Sequence, residues 1–282
     1  DRYATAGDLA DDLRDWMTAD AGCTGSVSAA STAAAAGTAA AESRVVPKGL
    51  RSFDRDDADF FLDLLPGPRG RHGLPDSLHV WKTRIEQTDP DETFAVGLLY
   101  GPSGCGKSSL VQAGLLPRLG SHVLPLYVEA APGKTEARLV RELRKRCPEM
   151  PRDLTLPDAI AGLRQGRWAP EGAKLLIVFD QFEQWLHARG GDFQGELLAA
   201  LRQCDGRRVQ CLILVRDDFW VAVSRFFTEL ELDLVPGRNA ALADLFDPLH
   251  ARKVLAKFGC AYGRLPGDVD ALTPEQAAFL DG

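Results

Sequence analysis

One stretch limits what this chain can become: Tyr100-Gly101-Pro102-Ser103-Gly104-Cys105-Gly106-Lys107-Ser108-Ser109-Leu110, in which Gly101 to Ser108 spell G-x-x-x-x-G-K-[ST]. Glycines let a backbone curl closely around a phosphate while successive N–H groups turn inward as an anion nest. A helix beginning near Lys107 adds its positive N-terminal end. The pattern assigns phosphate contacts to Gly101, Ser103, Gly104, Cys105, Gly106, Lys107, Ser108 and Ser109. Lys107 is the residue expected to reach the β- and γ-phosphates, and the Ser108 hydroxyl is expected to ligate Mg²⁺. An accidental glycine-rich turn is the competing reading, and the flanks argue against it. Thr93 to Tyr100 is a continuous apolar run of strand length, as a buried parallel strand should be. Ser109 to Leu119 then switches to helical spacing and is ended by Pro117.

A second run, Lys174-Leu175-Leu176-Ile177-Val178-Phe179-Asp180, ends an apolar strand in a carboxylate. The carboxyl edge of an open α/β sheet is where ligands bind. Asp180 is therefore expected to hold Mg²⁺ through water, with a helix N-cap as its bland alternative. Glu183 is placed to orient and deprotonate an attacking water; the competing role is a first-turn charge on a helix dipole. Val209 to Val215 is another buried strand, followed at once by Arg216. A guanidinium at that edge is placed to detect a γ-phosphate, against the alternative of a salt bridge to Asp217 or Asp218. The catalytic set read here is Lys107, Glu183 and Arg216, and the metal set is Ser108 and Asp180.

The remaining segments fit a sheet flanked by helices. Asp54 to Leu65 and Asp76 to about Gln87 read as helices, with Phe61, Leu62, Leu78, Trp81 and Ile85 inward. Val123 to Glu129 is a short strand, and Ala241 to Phe246 is a possible fifth. Asp217 is expected to cap a helix burying Phe219, Val223 and Phe226, and a helical segment opens at Pro248-Leu249. Glu136 to Cys147 carries Arg138, Arg141, Arg144, Lys145 and Arg146 on one face. Without interleaved aromatics, and with Glu142 interrupting it, that stripe reads as a solvated face rather than a nucleic-acid surface. Arg69 and Arg71, in a Pro/Gly loop, read as solvated for the same want of context.

Charge and cysteine usage narrow the class. A net charge of −7 gives no basic field for nucleic acid or an anionic membrane. The six cysteines form no C-x-x-C pair, which suits free thiols in a cytoplasmic setting. No apolar run approaches the roughly 18 residues of a membrane span. The chain starts at Asp1 and stops just after a helix-start signal at Thr273-Pro274-Glu275-Gln276, as a fragment of a larger protein would.

The phrases Gly101 to Leu110 with Ala113-Gly114-Leu115-Leu116-Pro117, then Val178-Phe179-Asp180-Gln181-Phe182-Glu183, then Val215-Arg216-Asp217-Asp218-Phe219, together resemble the STAND NTPases, signal transduction ATPases with numerous domains. The likeness is greatest to a bacterial group fused behind Ser/Thr protein kinases. It implies an α/β P-loop NTPase of ASCE type, with a parallel five-stranded sheet flanked by helices and the start of a helical lid. In that arrangement the Arg216 strand lies between the phosphate-loop strand and the Asp180 strand. It also implies a slowly hydrolysing ATP switch, closed with ADP and often oligomeric with ATP, using ATP/ADP and Mg²⁺ and answering to a sensor or effector domain. Residues 1–18, through Arg2-Tyr3-Ala4-Thr5-Ala6 and Asp8 to Leu13, resemble the last helix of a Ser/Thr kinase. No kinase active site accompanies it. Residues 19–46, rich in Ala, Ser and Thr, read as a flexible linker, 47–246 as the NTPase core and 247–282 as the start of the lid.

Two departures from the family pattern bear on function. Gln184 stands where many relatives carry a second acid, and Phe60-Phe61 is followed by Leu62-Asp63 rather than Gly-Arg-Glu, which leaves the adenine-side contact unassigned. The competing functions are an AAA-like oligomeric motor and a nucleotide-binding scaffold that never hydrolyses. A GTPase is disfavoured, because there is no N-K-x-D and the D-x-x-G position holds Glu183.

Overall fold

Apolar runs of six to eight residues, too short for stable helices of their own and rich in Val, Leu and Ile, become the four long strands of the sheet. The computed structural model describes residues 52–70, 73–266 and 272–281. The expected helix and linker within residues 1–46 lie outside the described residues, as does Arg71. The strands are β1 (Val96–Gly101), β2 (Val123–Glu129), β3 (Lys174–Asp180), β4 (Val209–Arg216) and the short β5 (Ala240–Leu242). They pair in parallel in the order β2-β3-β4-β1-β5. The Arg216 strand therefore lies between the other two motif strands, the arrangement of an ASCE P-loop core.

Pleating sends alternate residues to opposite faces, and both faces are buried. Leu98, Ile177, Phe179, Cys211, Ile213 and Val215 point into one core cluster. Leu99, Leu176, Val178, Leu212 and Leu214 point into the other. The first face is covered by α4 (Thr135–Arg146), α5 (Leu156–Arg164), α6 (Glu183–Arg189), α7 (Glu196–Leu201) and α8 (Trp220–Glu229). The second is covered by α2 (Asp76–Glu86) and by α3 (Lys107–Ser109), which passes into a π turn over Leu110–Leu115 and a 3₁₀ turn over Leu116–Arg118. Pro117 sits in that last turn, where the helical run stops.

A smaller cluster joins the beginning and end of the described region. Phe61 and Leu64 of α1 (Ala58–Leu64) pack with Ala113, Phe53, Val254 and Phe258, the last two from α9 (Pro248–Ala261). His250 Nε2 lies 2.7 Å from the Leu64 carbonyl and Lys257 Nζ donates to the Asp63 carbonyl at 2.6 Å, which fixes α9 on α1. The helix-start signals act as read. Asp54 and Asp57 form a capping box before α1, and Thr273 and Gln276 form another before α10 (Pro274–Asp281).

Two local expectations are corrected. β5 ends at Leu242 rather than Phe246, because after Ala243 N–H bonds to the Tyr100 carbonyl, the Asp244 carboxylate takes the Leu245 N–H and ends the ladder. Asp217 makes no side-chain cap: a 3₁₀ turn, Asp217–Phe219, follows directly from β4 and leads into α8.

Candidate functional site

The loop between β1 and α3 is shaped by its glycines. Gly104 and Gly106 have φ of +78° and +89°, a region that side chains with a Cβ avoid. At Gly101 the constraint is space, since a Cβ there would lie 1.9 Å from the Ala243 carbonyl oxygen. The Lys107 ammonium folds back over the loop and donates to the carbonyls of Gly101 and Pro102, each at 2.8 Å, with Cys105 Sγ at 3.6 Å. Ser108 opens α3. The Ser109 hydroxyl, read from the sequence as a phosphate contact, accepts the Phe53 N–H at 3.1 Å and ties the segment before α1 to the loop. Ser103 and Cys105 lie on the loop itself, half-buried or exposed.

Asp180 closes β3 and is 5% exposed. Strand alternation puts it on the face of Leu176 and Val178, the face that α3 covers. It does not act as a helix cap, since α6 begins only at Glu183 after Phe182. Its Oδ1 accepts the Gln181 N–H at 2.9 Å, and its Oδ2 accepts the Tyr127 hydroxyl. Gln181, between Asp180 and Phe182, has φ of +52°, so the chain turns sharply as it leaves the strand. The Tyr127 oxygen in turn accepts from Gln112 Nε2 at 2.8 Å. Burial and the Asp180 carboxylate push the phenol pKa far up, while hydrogen bonds from Gln112 and Ser108 oppose the rise. Ser108 and Asp180, predicted from separate motifs, are thus brought to one phenol.

Glu183 is the first residue of α6, so the dipole role is open to it, yet its carboxyl is nearly sealed from solvent at 7% exposure. Burial raises its pKa above the ordinary value, against the Arg216 N–H and the Lys107 and Arg216 charges, which lower it. Its Oε2 lies 3.4 Å from the Arg216 backbone nitrogen. Arg216 pairs directly with Gly101 across β4 and β1. Its terminal nitrogen bonds Asp218 at 2.6 Å, the salt bridge weighed from the sequence, while its Nε is buried with no hydrogen-bond partner. A buried donor without a partner, in register with the glycine loop, suits an anion as its acceptor.

Sequence reasoning left the adenine-side contact unassigned; beside the glycine loop the structure shows an aromatic wall. A cavity of about 490 Å³ opens beside Gly104, Cys105 and Gly106 and is walled by Phe53, Leu65, Phe246, Val254 and Phe258. The Phe53 and Phe258 rings stack at 5.7 Å. No spacing rule announces this wall, because it is assembled from the two ends of the described region. Tyr127 and Gln112 were equally silent, a strand residue and a helix residue with no motif around them.

The donor sets suit a nucleotide with its ion. Mg²⁺ takes few protein oxygens and completes its shell with phosphate and water, and the Ser108 hydroxyl and Asp180 carboxylate are hard oxygen donors of that kind. Among the described residues no three His, Cys, Asp or Glu side chains gather as a self-contained metal site. The basic face of α4 is largely engaged within the chain: Arg138 bonds the Glu129 carbonyl, Arg144 the Arg152 carbonyl, and Lys145 the Glu142 carboxylate. Arg69 bonds the Leu62 and Gly73 carbonyls. No helix among the described residues is long and apolar enough to cross a membrane.

Three solved structures are similar in part. One is a Walker-type ATPase of Pyrococcus abyssi, with 18% identity, 73% of this chain and 63% of that chain covered, and a TM-score of 0.47. Another is the Aeropyrum pernix ORC2 protein with ADPNP and ADP, with 19% identity, 70% and 53% coverage and a TM-score of 0.46. The third is Drosophila ORC bound to DNA, with 19% identity, 64% and 44% coverage and a TM-score of 0.46. The chain spans less than two thirds of the length of each. No curated protein matches it. Residues 48–256, which hold the glycine loop, Asp180, Glu183 and Arg216, match the family described as novel STAND NTPase 1, and the chain belongs to that family of nucleotide-binding NTPases.

Proposed function

We propose that this chain binds ATP with Mg²⁺, hydrolyses it slowly and serves as the switch of a larger signalling protein. The observation that carries the reading is the gathering of Lys107, Asp180, Glu183 and Arg216 where β1, β3 and β4 end side by side. Lys107 leaves the Gly101 and Pro102 carbonyls for the β- and γ-phosphates, which lie over inward N–H groups of the loop. The apolar cavity takes the base. Mg²⁺, held by Ser108 and Asp180, would neutralise charge on the phosphate oxygens. The Glu183 carboxylate accepts a proton from the attacking water as the bond from the γ-phosphorus to the bridging oxygen breaks, leaving ADP and phosphate. Its raised pKa makes it a better base than an exposed glutamate. Arg216 pairs with the γ-phosphate and so distinguishes ATP from ADP.

In this reading residues 47–246 are the NTPase core, 247–282 begin a lid, 19–46 are a linker, and 1–18 end a kinase-like domain. The setting is cytoplasmic, and the partners are nucleotide, a sensor or effector domain and a second copy in the ATP state. Phosphate release under excess Mg·ATP is the test. Switch NTPases turn over at about 10⁻⁴ to 10⁻² s⁻¹ without assistance, and a rate in that range is expected. A rate near the enzyme median of about 10 s⁻¹ would favour a motor, and tight binding with no release of phosphate would favour a scaffold.

A further inference from the structure

Resting on that reading of the metal side, we propose that Tyr127 is a positioning residue: its hydroxyl fixes the Asp180 carboxylate and joins it to Gln112, in the helical run that carries Ser108, so that the two Mg²⁺ donors are set before the ion arrives. The sheet register makes this possible. Glu129 of β2 faces Asp180 of β3, so Tyr127, two residues earlier, is its diagonal neighbour on the same face. The Tyr127 ring spans the gap between these diagonal neighbours and brings its hydroxyl to the carboxylate.

The Asp180 carboxylate has about four lone-pair positions, of which the Gln181 N–H and the Tyr127 hydroxyl take one each. The rest stay open toward an ion or its water. With both oxygens held, the carboxylate cannot rotate away. The phenol oxygen also accepts from Gln112, in the π turn that continues from Ser108. A shift of that turn is therefore felt at Asp180 through one bridging oxygen. A residue serving only the fold would support nucleotide binding equally with and without metal. Tyr127 instead acts on the metal-dependent part, because its hydroxyl bonds one metal donor, Asp180, and, through Gln112, the helical run that carries the other.

The experiment is a titration of Mg²⁺ into the full chain with a fluorescent ADP, repeated for ADP alone in chelator, on the wild type and Tyr127→Phe. Loss of a partner that orients a metal ligand typically costs about 10- to 100-fold in metal affinity, and the Mg²⁺ midpoint of Tyr127→Phe is expected to rise by that factor. Metal-free ADP affinity should change by less than about twofold, since no phosphate contact is removed. An unchanged midpoint, a lower midpoint, or equal losses with and without metal would overturn the proposal. A wild type whose ADP binding ignores Mg²⁺ would overturn the metal reading of Ser108 and Asp180 as well, which keeps the two failures distinct. If Tyr127→Phe does not fold, Gln112→Met carries the test. It removes the donor to the phenol oxygen and should raise the midpoint in the same direction, and an unchanged midpoint there overturns the proposal.

Discussion

Gly101 and Arg216 are register partners in adjacent parallel strands, so the Arg216 side chain starts from beside the first glycine of the loop. Arg216→Ala should therefore remove a contact that only the γ-phosphate can make. A charge-assisted bond of this kind contributes about 1.5–3 kcal/mol, or roughly 10- to 150-fold in affinity. Calorimetric titration should show that loss for a non-hydrolysable ATP analogue and almost none for ADP. Equal losses for both would make Arg216 a structural residue.

Asp218 holds Arg216 in its present orientation at 2.6 Å, with both side chains near half exposed. Exposed pairs are worth at most about 1 kcal/mol, so the competition with a γ-phosphate is modest. Asp218→Asn is expected to tighten the ATP analogue by up to about fivefold and leave ADP unchanged. Weaker ATP binding in this variant would mean that Asp218 helps Arg216 rather than competing with it.

Glu183→Gln should leave nucleotide affinity intact and lower phosphate release by about 10²-fold, as for loss of a general base. Burial raises the Glu183 pKa, so hydrolysis by the wild type should fall on acidification while the pH is still above the ordinary 4.5. That acid limb should be missing from the residual activity of the variant. Normal hydrolysis in Glu183→Gln would reduce Glu183 to a charge at the start of α6.

The sheet was legible because buried parallel strands are largely apolar: β2 and β3 run over the residues their patterns predict, β4 extends by one, to Arg216, and β1 starts three residues later than its run, at Val96, and ends one later, at Gly101. The glycine loop was legible because its conformation restricts which residues can occupy it, as the positive φ of Gly104 and Gly106 shows. The helices α5 and α7 were not named from the sequence, since segments of nine and six residues offer too few turns to establish a period. Strand order came from the family resemblance, because nothing in the strands' composition says that β4 pairs with β1. Tyr127 and the aromatic wall were hidden for a different reason. Their roles come from tertiary neighbours, Asp180 for one and the packing of α9 on α1 for the other, and no local pattern carries that information.

Lys174, at the start of β3, is 1% exposed, with Nζ donating to the Gln87 carbonyl at 2.5 Å and lying 3.4 Å from the Thr93 hydroxyl. Burial pushes its pKa down from 10.5 to about 8. Below pH 8 the folded state carries a penalty for the buried charge. Between pH 8 and 10.5 the folded state sheds that proton while the unfolded chain keeps it, so this group's contribution to stability rises with pH. Across that window the wild type should gain about 3 kcal/mol relative to Lys174→Met, measured by chemical denaturation. A difference between the two that stays flat with pH would contradict a charged, buried Lys174.

The most direct measurement is calorimetric titration of Mg·ATP and Mg·ADP into the wild type and Lys107→Ala. The Lys107 ammonium lies over its own loop, bonded to the Gly101 and Pro102 carbonyls rather than packed in the hydrophobic core. Its removal should leave the thermal unfolding transition nearly unchanged and abolish measurable binding of both nucleotides. Wild-type affinity in Lys107→Ala, or a wild type that binds neither nucleotide, would contradict the assignment of this loop as the nucleotide site.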